Sequence, residues 1–200
     1  EMVDYPPTNA ISRVRAWDFA SEEKTKTNNP DWTVGVKMSK DKFGTYYIED
    51  VVRFQARTDK VLKAVVETAM SDGTDDCLVH IPTDPAAAGK TAVKHYLTVL
   101  AEHGIYARTK LANGHTSKLT SFKPFCALAE SGSVKVVKGD WNDAFFQELE
   151  TFTGDKAIQR TRKDDQVDAT SACFAVLARQ VTNPVFNLNP LIQANPVPTI

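Results

Sequence analysis

A chain of 200 residues, 42% hydrophobic and 24% charged, can fill one domain core and is too apolar to remain disordered. Its 24 Lys and Arg against 25 Asp and Glu give a formal charge of -1, so any nucleic-acid surface must be a segregated patch rather than a bulk property. Cys77, Cys126 and Cys173 lie apart in apolar runs with no Cys-x-x-Cys pair, which argues against a zinc knuckle or disulfide framework and for reduced core thiols.

Arg13 to Ala20 reads as a strand ending in a turn, and Trp32 to Met38 as a second strand. A turn over Asp41 to Gly44 leads to a third, Tyr46 to Phe54, and such short runs favour antiparallel hairpins. At Thr58 the period changes. Val61, Leu62, Val65, Val66, Ala69 and Met70 mark one face of a helix, with Thr58 as its cap and Asp72-Gly73 as its stop. Cys77 to Ile81 is a short buried strand, with Asp84 and Pro85 just beyond it. Val93, Tyr96, Leu97 and Leu100 form the next helical face, closed by Gly104, and Ile105 to Thr109 returns to the sheet.

A helix over Lys118 to Glu130 contains Pro124, which is expected to interrupt or kink its start. Val134 to Val137 is extended. Trp141, Phe145, Leu149 and Phe152 make another helical stripe with Asp140 as cap, and a last helix runs from near Asp164 to about Gln180. From Asn183 the Pro and Asn content rises, so residues 183–200 read as a tail beyond a domain of residues 1–182. Three strands followed by alternating helices and strands predict an α/β fold, a mixed sheet flanked by helices. No apolar stretch is long enough to cross a bilayer, and no membrane partner is expected.

The chemistry lies in the aspartates. Asp18 sits between Trp17 and Phe19, which strand alternation places on the opposite face. A carboxylate in a covered sheet must be paired, hydrogen-bonded or metal-bound, and Arg13 or Arg15 could supply a plain ion pair. Asp84 follows a buried strand, where α/β folds place ligands, although it could simply cap the next helix. In Lys163-Asp164-Asp165-Gln166-Val167-Asp168, helical spacing brings Asp164 and Asp165 near Asp168. Their repulsion calls for a cation, with the helix dipole as the competing explanation. Val167, Ser171, Phe174, Ala175 and Ala178 are expected to pack inward beside them.

An oxygen-only ligand set fits Mg2+ or Mn2+, with two ions working on one phosphate, and Asp31 is an auxiliary acid. Arg108, Lys110, Lys118, Lys123 and Lys163 are candidates for the DNA backbone, with Lys118 and Lys163 ranked first, though such series are also ordinary solvated surface. Ala88-Gly89-Lys90-Thr91 imitates part of a phosphate-binding loop but lacks its first glycine.

These motifs, in the order Arg15-Ala16-Trp17-Asp18-Phe19-Ala20, Asp31-Trp32-Thr33-Val34-Gly35, Asp84-Pro85, Lys118, Gly139-Asp140-Trp141 and Lys163 to Ala169, resemble one family. It is the C-terminal nuclease domain of the tailed-bacteriophage terminase large subunit. The resemblance implies an RNase H-like fold and metal-dependent endonuclease cleavage of double-stranded viral DNA during packaging, by two-metal phosphodiester hydrolysis. By the family pattern the catalytic acids fall on Asp18, Asp84 and Asp165 or Asp168. Metal ligands come from Asp18, Asp84, Asp164, Asp165 and Asp168, the choice among the last three staying open.

The resemblance further implies an N-terminal ATPase domain outside this chain, which opens Glu1-Met2 and is expected to be one part of a longer protein. It also implies portal protein and small terminase subunit as partners, and action in the host cytoplasm at the capsid portal. A Holliday-junction-resolvase-like nuclease and a non-catalytic DNA- or portal-docking module are the alternatives. The docking module would not need the aspartates to converge.

Overall fold

The computed structural model describes residues 1–20, 23, 25–83, 87–111, 117–155 and 162–180; the expected tail at 183–200 lies outside them. Among the described residues one seven-stranded sheet forms from β1 (Met2–Val3), β2 (Ala10–Asp18), β3 (Thr33–Asp41), β4 (Tyr46–Phe54), β5 (Leu78–Thr83), β6 (Ala107–Leu111) and β7 (Val134–Val137). The helices among the described residues are α1 (Thr58–Asp72), α2 (Ala87–Glu102), α3 (Lys118–Glu130), α4 (Asn142–Thr151) and α5 (Asp165–Gln180).

The sheet order is β1-β7-β4-β3-β2-β5-β6. The first long strands form the antiparallel meander β2-β3-β4, and β5, β6 and β7 add in parallel at its sides. The expected mixed α/β sheet is therefore present. The short β1, which pairs with β7, had no counterpart in the sequence reading.

Strand alternation divides the core into two layers. Val14, Ala16, Val34 and Val36 face Phe122 and Phe125 of α3, Phe145 of α4, and Ala169, Cys173 and Leu177 of α5. Trp17, Val79 and Ile81 face Val61 and Val65 of α1 and Tyr96 and Leu100 of α2. Gly35 is the cross-strand partner of Trp17, and a Cβ there would lie 2.9 Å from the indole ring. The glycine lets the ring lie flat on β3.

Several local expectations change. Arg57, not Thr58, holds the N-cap position of α1 and makes no side-chain cap bond. The cap comes from elsewhere, because the Glu23 carboxylate accepts from the Thr58 N–H at 3.3 Å and its hydroxyl at 2.8 Å. Those bonds hold the Glu23 carboxyl below its ordinary range. Asp140 does not cap α4, whose N-cap position falls on Trp141, while Asn142 Oδ1 accepts from the Gly139 N–H. Helix α3 runs unbroken through Pro124 and is capped by Ser117, which accepts from the Thr120 N–H. Ala175 and Ala178 are exposed, and Cys173 and Leu177 take the inward positions. Ala88 to Thr91 lie within α2, not in a loop.

A buried ion network ties α1 to the sheet. Arg15, 2% exposed, donates from Nε and Nη2 to both Asp72 oxygens at 2.7 and 2.8 Å, from Nη2 to Asp50 at 2.7 Å, and from Nη1 to the Gly35 carbonyl. Burial opposes the charge, but these carboxylates hold the guanidinium well above its ordinary value. Removing one partner of such a pair strands the other in the interior. Arg15→Ala is therefore expected to destabilise the chain by about 3 kcal/mol, lowering the urea midpoint with little change in slope. Adding Asp72→Leu to Arg15→Met should recover much of that loss.

Candidate active site

Asp18 ends β2 on the same face as Val14 and Ala16, towards α5, while Trp17 and Phe19 belong to the opposite layer. Neither candidate arginine pairs with it. Arg13 Nε donates to Glu49 at 3.1 Å, and Arg15 is held by Asp72 and Asp50. The plain ion pair open in the sequence is not made.

Helix α5 brings the other acids. Its close approach to the sheet is set by small side chains, Ala169 and Cys173, both fully buried, and the Cys173 thiol donates to the Val14 and Val36 carbonyls at 3.1 and 3.4 Å. Glu148 of α4 caps the helix start. Its carboxylate accepts from the Gln166 and Val167 N–H groups and from Gln166 Nε2. Burial still pushes the Glu148 carboxyl up despite those bonds.

With α5 so fixed on β2, Asp164, Asp165 and Asp168 act electrostatically on Asp18. The Asp18 carboxyl is pushed well above the ordinary range, first by burial and then by Asp168 and Asp165, with Lys118 opposing. Asp165, 6% exposed, is pushed up to about 6, again chiefly by burial, although its Oδ2 accepts from the Trp32 N–H at 3.0 Å. Asp168 is raised by burial against the pull of Lys118.

Two lysines partly answer this charge. Lys118, at the start of α3, lies 2.7 Å from Asp164 Oδ1 and 2.5 Å from Asp168 Oδ2. Burial works against its ammonium, but the two carboxylates hold it above its ordinary value. Lys163 lies 2.6 Å from Asp31 and donates to the Asn29 carbonyl. Arg108 stacks on Tyr106 on the edge strand β6, away from these acids in the sheet order, and Lys123 is exposed on α3. Asp84 lies outside the described residues, as does the side chain of Lys110.

Among the described residues no group of three or more His, Cys, Asp or Glu is arranged to hold a metal ion. Their polar contacts are made within the protein: Lys118 spans Asp164 and Asp168, Lys163 holds Asp31, and one Asp165 oxygen accepts from the Trp32 N–H. The donor chemistry nonetheless fits a hard divalent cation. Three carboxylates act on Asp18 against the one ammonium of Lys118, an excess of negative charge that oxygen-seeking cations neutralise.

Residues 15–176 match the family described as Terminase RNaseH-like domain. The chain belongs to that family. The fold agrees. The large terminase nuclease of the thermophilic phage G20c, with bound zinc, is 18% identical and superposes with a TM-score of 0.58, covering 86% of this chain and 84% of that one. The Thermus phage P74-26 large terminase nuclease domain is 19% identical with a TM-score of 0.58, covering 86% and 82%. The G20c nuclease with bound magnesium gives 18% and 0.53 over 86% and 84%. No curated protein sequence matches.

Sequence reasoning missed three parts of this candidate site. Lys118 was read as a phosphate contact and not as a bridge between two acids. Glu148 carried one signal, a carboxylate within the apolar stripe of Phe145 and Leu149. The Trp32 N–H carried none, because a backbone donor leaves no mark on side-chain pattern.

The raised Asp165 carboxyl has a definite pH signature. It binds its proton more tightly folded than unfolded, so its contribution is fully favourable below about pH 4 and is lost as pH rises through about 6. In EDTA this group alone should cost about 2–3 kcal/mol between about pH 4 and 7. Asp165→Asn is expected to melt higher than the parent at pH 7, with the difference vanishing near pH 4, as followed by thermal unfolding at both pH values.

Proposed function

We propose that this chain is a metal-dependent endonuclease that cleaves double-stranded viral DNA during genome packaging. The observation that carries the reading is Asp165 held by the Trp32 N–H, two residues from Val34, the cross-strand partner of Asp18, in a terminase-family domain. Asp18, Asp165 and Asp168 would hold Mg2+ or Mn2+, as two ions, with Asp164 and Asp84 contributing and Asp31 auxiliary. Bound cations supply charge neutralisation and acidification of water beside a phosphodiester.

The chain's own residues do the rest. Asp18 offers its carboxylate from a rigid strand, so its position is fixed before any ligand arrives. The Trp32 N–H and the Glu148 cap hold Asp165 and the start of α5 in place. Lys118 neutralises Asp164 and Asp168 while no cation is present, and its ammonium can pass to a DNA phosphate once they are occupied. Bound zinc and magnesium in the G20c nuclease support the cation requirement. The ATPase domain, portal and small subunit belong to the longer protein and assembly that this reading implies, placing the chain at the capsid portal in the host cytoplasm. No helix among the described residues is long and apolar enough to cross a membrane.

Supercoiled plasmid should be nicked and linearised with Mg2+ or Mn2+ and left intact in EDTA, and Asp18→Ala should reduce cleavage to background. A parent chain that binds DNA yet never cuts, under any divalent cation, would count against the nuclease. Lys118→Gln removes the competing ammonium and is expected to tighten Mn2+ binding in calorimetry several-fold. Weaker binding would mean that Lys118 orients the acids and does not stand in for the cation.

A further inference from the structure

Arg53 is a cation that neither the ion network of the core nor the acid cluster uses. It lies on β4 opposite Val34 of β3, and Val34 in turn lies opposite Asp18 of β2. Directly opposed residues of an antiparallel pair share a face, so Asp18, Val34 and Arg53 form one row on the side covered by α5. Its neighbours agree: Val52 and Phe54 pack on the opposite layer, and Val51 on this one. Two strand spacings put the Arg53 Cα about 10 Å from that of Asp18.

The guanidinium is held but not neutralised. Its Cζ lies 4.1 Å from the centroid of the Trp32 ring, and Trp32 donates its N–H to Asp165. The ring therefore connects the arginine to the acid site. Among the described residues Arg53 makes no ion pair, and its buried Nε has no hydrogen-bond partner. The nearest acid in sequence to that ring, Asp31, is already taken by Lys163 at 2.6 Å. A half-buried guanidinium stacked on an indole has lost side-chain freedom and water while keeping its donors, which favours an oxyanion that presents two oxygens to the fork, as a phosphodiester does.

We propose that Arg53 binds a backbone phosphate of the duplex that crosses the acid site. The inference rests on the nuclease reading and adds to it a fixed contact on the β4 side of the cluster. At roughly 3.4 Å of helix axis per phosphate on one strand, the 10 Å row reaches about two or three phosphates from the one nearest Asp18. Trp32 sets the orientation, so the contact serves register more than sequence.

The test is duplex binding by the 200-residue chain in Ca2+ or EDTA, across a salt series, for the parent, Arg53→Gln and Arg57→Gln. Gln at 53 keeps a planar group over the indole and removes the charge; Arg57 is exposed and paired only loosely with Asp59 at 3.8 Å. Arg53→Gln should weaken binding about tenfold and reduce the slope of log K against log[salt] by about 0.9, with Arg57→Gln close to the parent. An unchanged slope in Arg53→Gln, or an equal drop in Arg57→Gln, would overturn the proposal.

A second measurement needs no variant. Arginine-selective dicarbonyl labelling of the parent, read by mass spectrometry, should show Arg53 protected by duplex. Unprotected Arg53 at saturating DNA overturns the proposal even if Arg53→Gln does not fold. A parent that shows no salt-dependent duplex binding at all would instead remove the nuclease reading on which the inference stands.

Discussion

The seating of α5 on β2 and β3 is the contact on which the rest depends. Ala169 and Cys173 leave no bulk between helix and sheet, and the Cys173 thiol reaches two strand carbonyls. A helix turns about 100° per residue, so slippage by one position would carry Asp165 and Asp168 away from Asp18. Glu148 and the Trp32 N–H lock that rotation from two other elements, one at the helix start and one at the acid itself. These contacts hold the acids in place although their mutual repulsion is unfavourable.

The two faces of β2 show opposite solutions to buried charge. Beneath, Arg15 meets Asp72, Asp50 and a carbonyl, and each donor has a partner. Above, Asp18 meets mainly other carboxylates and has its proton affinity raised. A polar network that is fully satisfied specifies a fold, whereas one left short of a countercharge stores free energy for whatever ligand supplies it. The same strand thus stabilises the domain through one side chain and prepares a site through another three residues later. Lys118 and Lys163 keep the prepared side tolerable, each through carboxylates drawn from elsewhere in the chain.

Much of the fold was legible because its strands and helices are regular. Tyr46–Phe54, Lys118–Glu130 and Val134–Val137 stand where alternation and helical period put them, since burial on one face leaves that pattern in the side chains. The sheet order was not legible: β7 joins β4 across an intervening stretch of helices and two other strands, and nothing local encodes that pairing. Caps were misread where the real partner is remote in sequence, as with Glu23 at Thr58. Asp18 and the Asp164 to Asp168 cluster stood out as carboxylates in apolar company, but the groups that hold them, a lysine from α3, a glutamate from α4 and a backbone N–H from the β3 entry, belong to tertiary structure. Arg53 passed unnoticed because its partner is the face of an indole.

The contacts that complete the acid site join residues far apart along the chain. Trp32 and Asp165 are separated by 133 positions, and Lys163 and Asp31 by 132. Synthesis from the N-terminus delivers Asp18 well before the first turn of α5, and the proposed centre needs both. A nascent or truncated chain lacking α5 carries the strand acid without Asp165 and Asp168. Chain order therefore sets a sequence in time: the proposed centre is assembled only with a helix that also completes the core cluster beneath it.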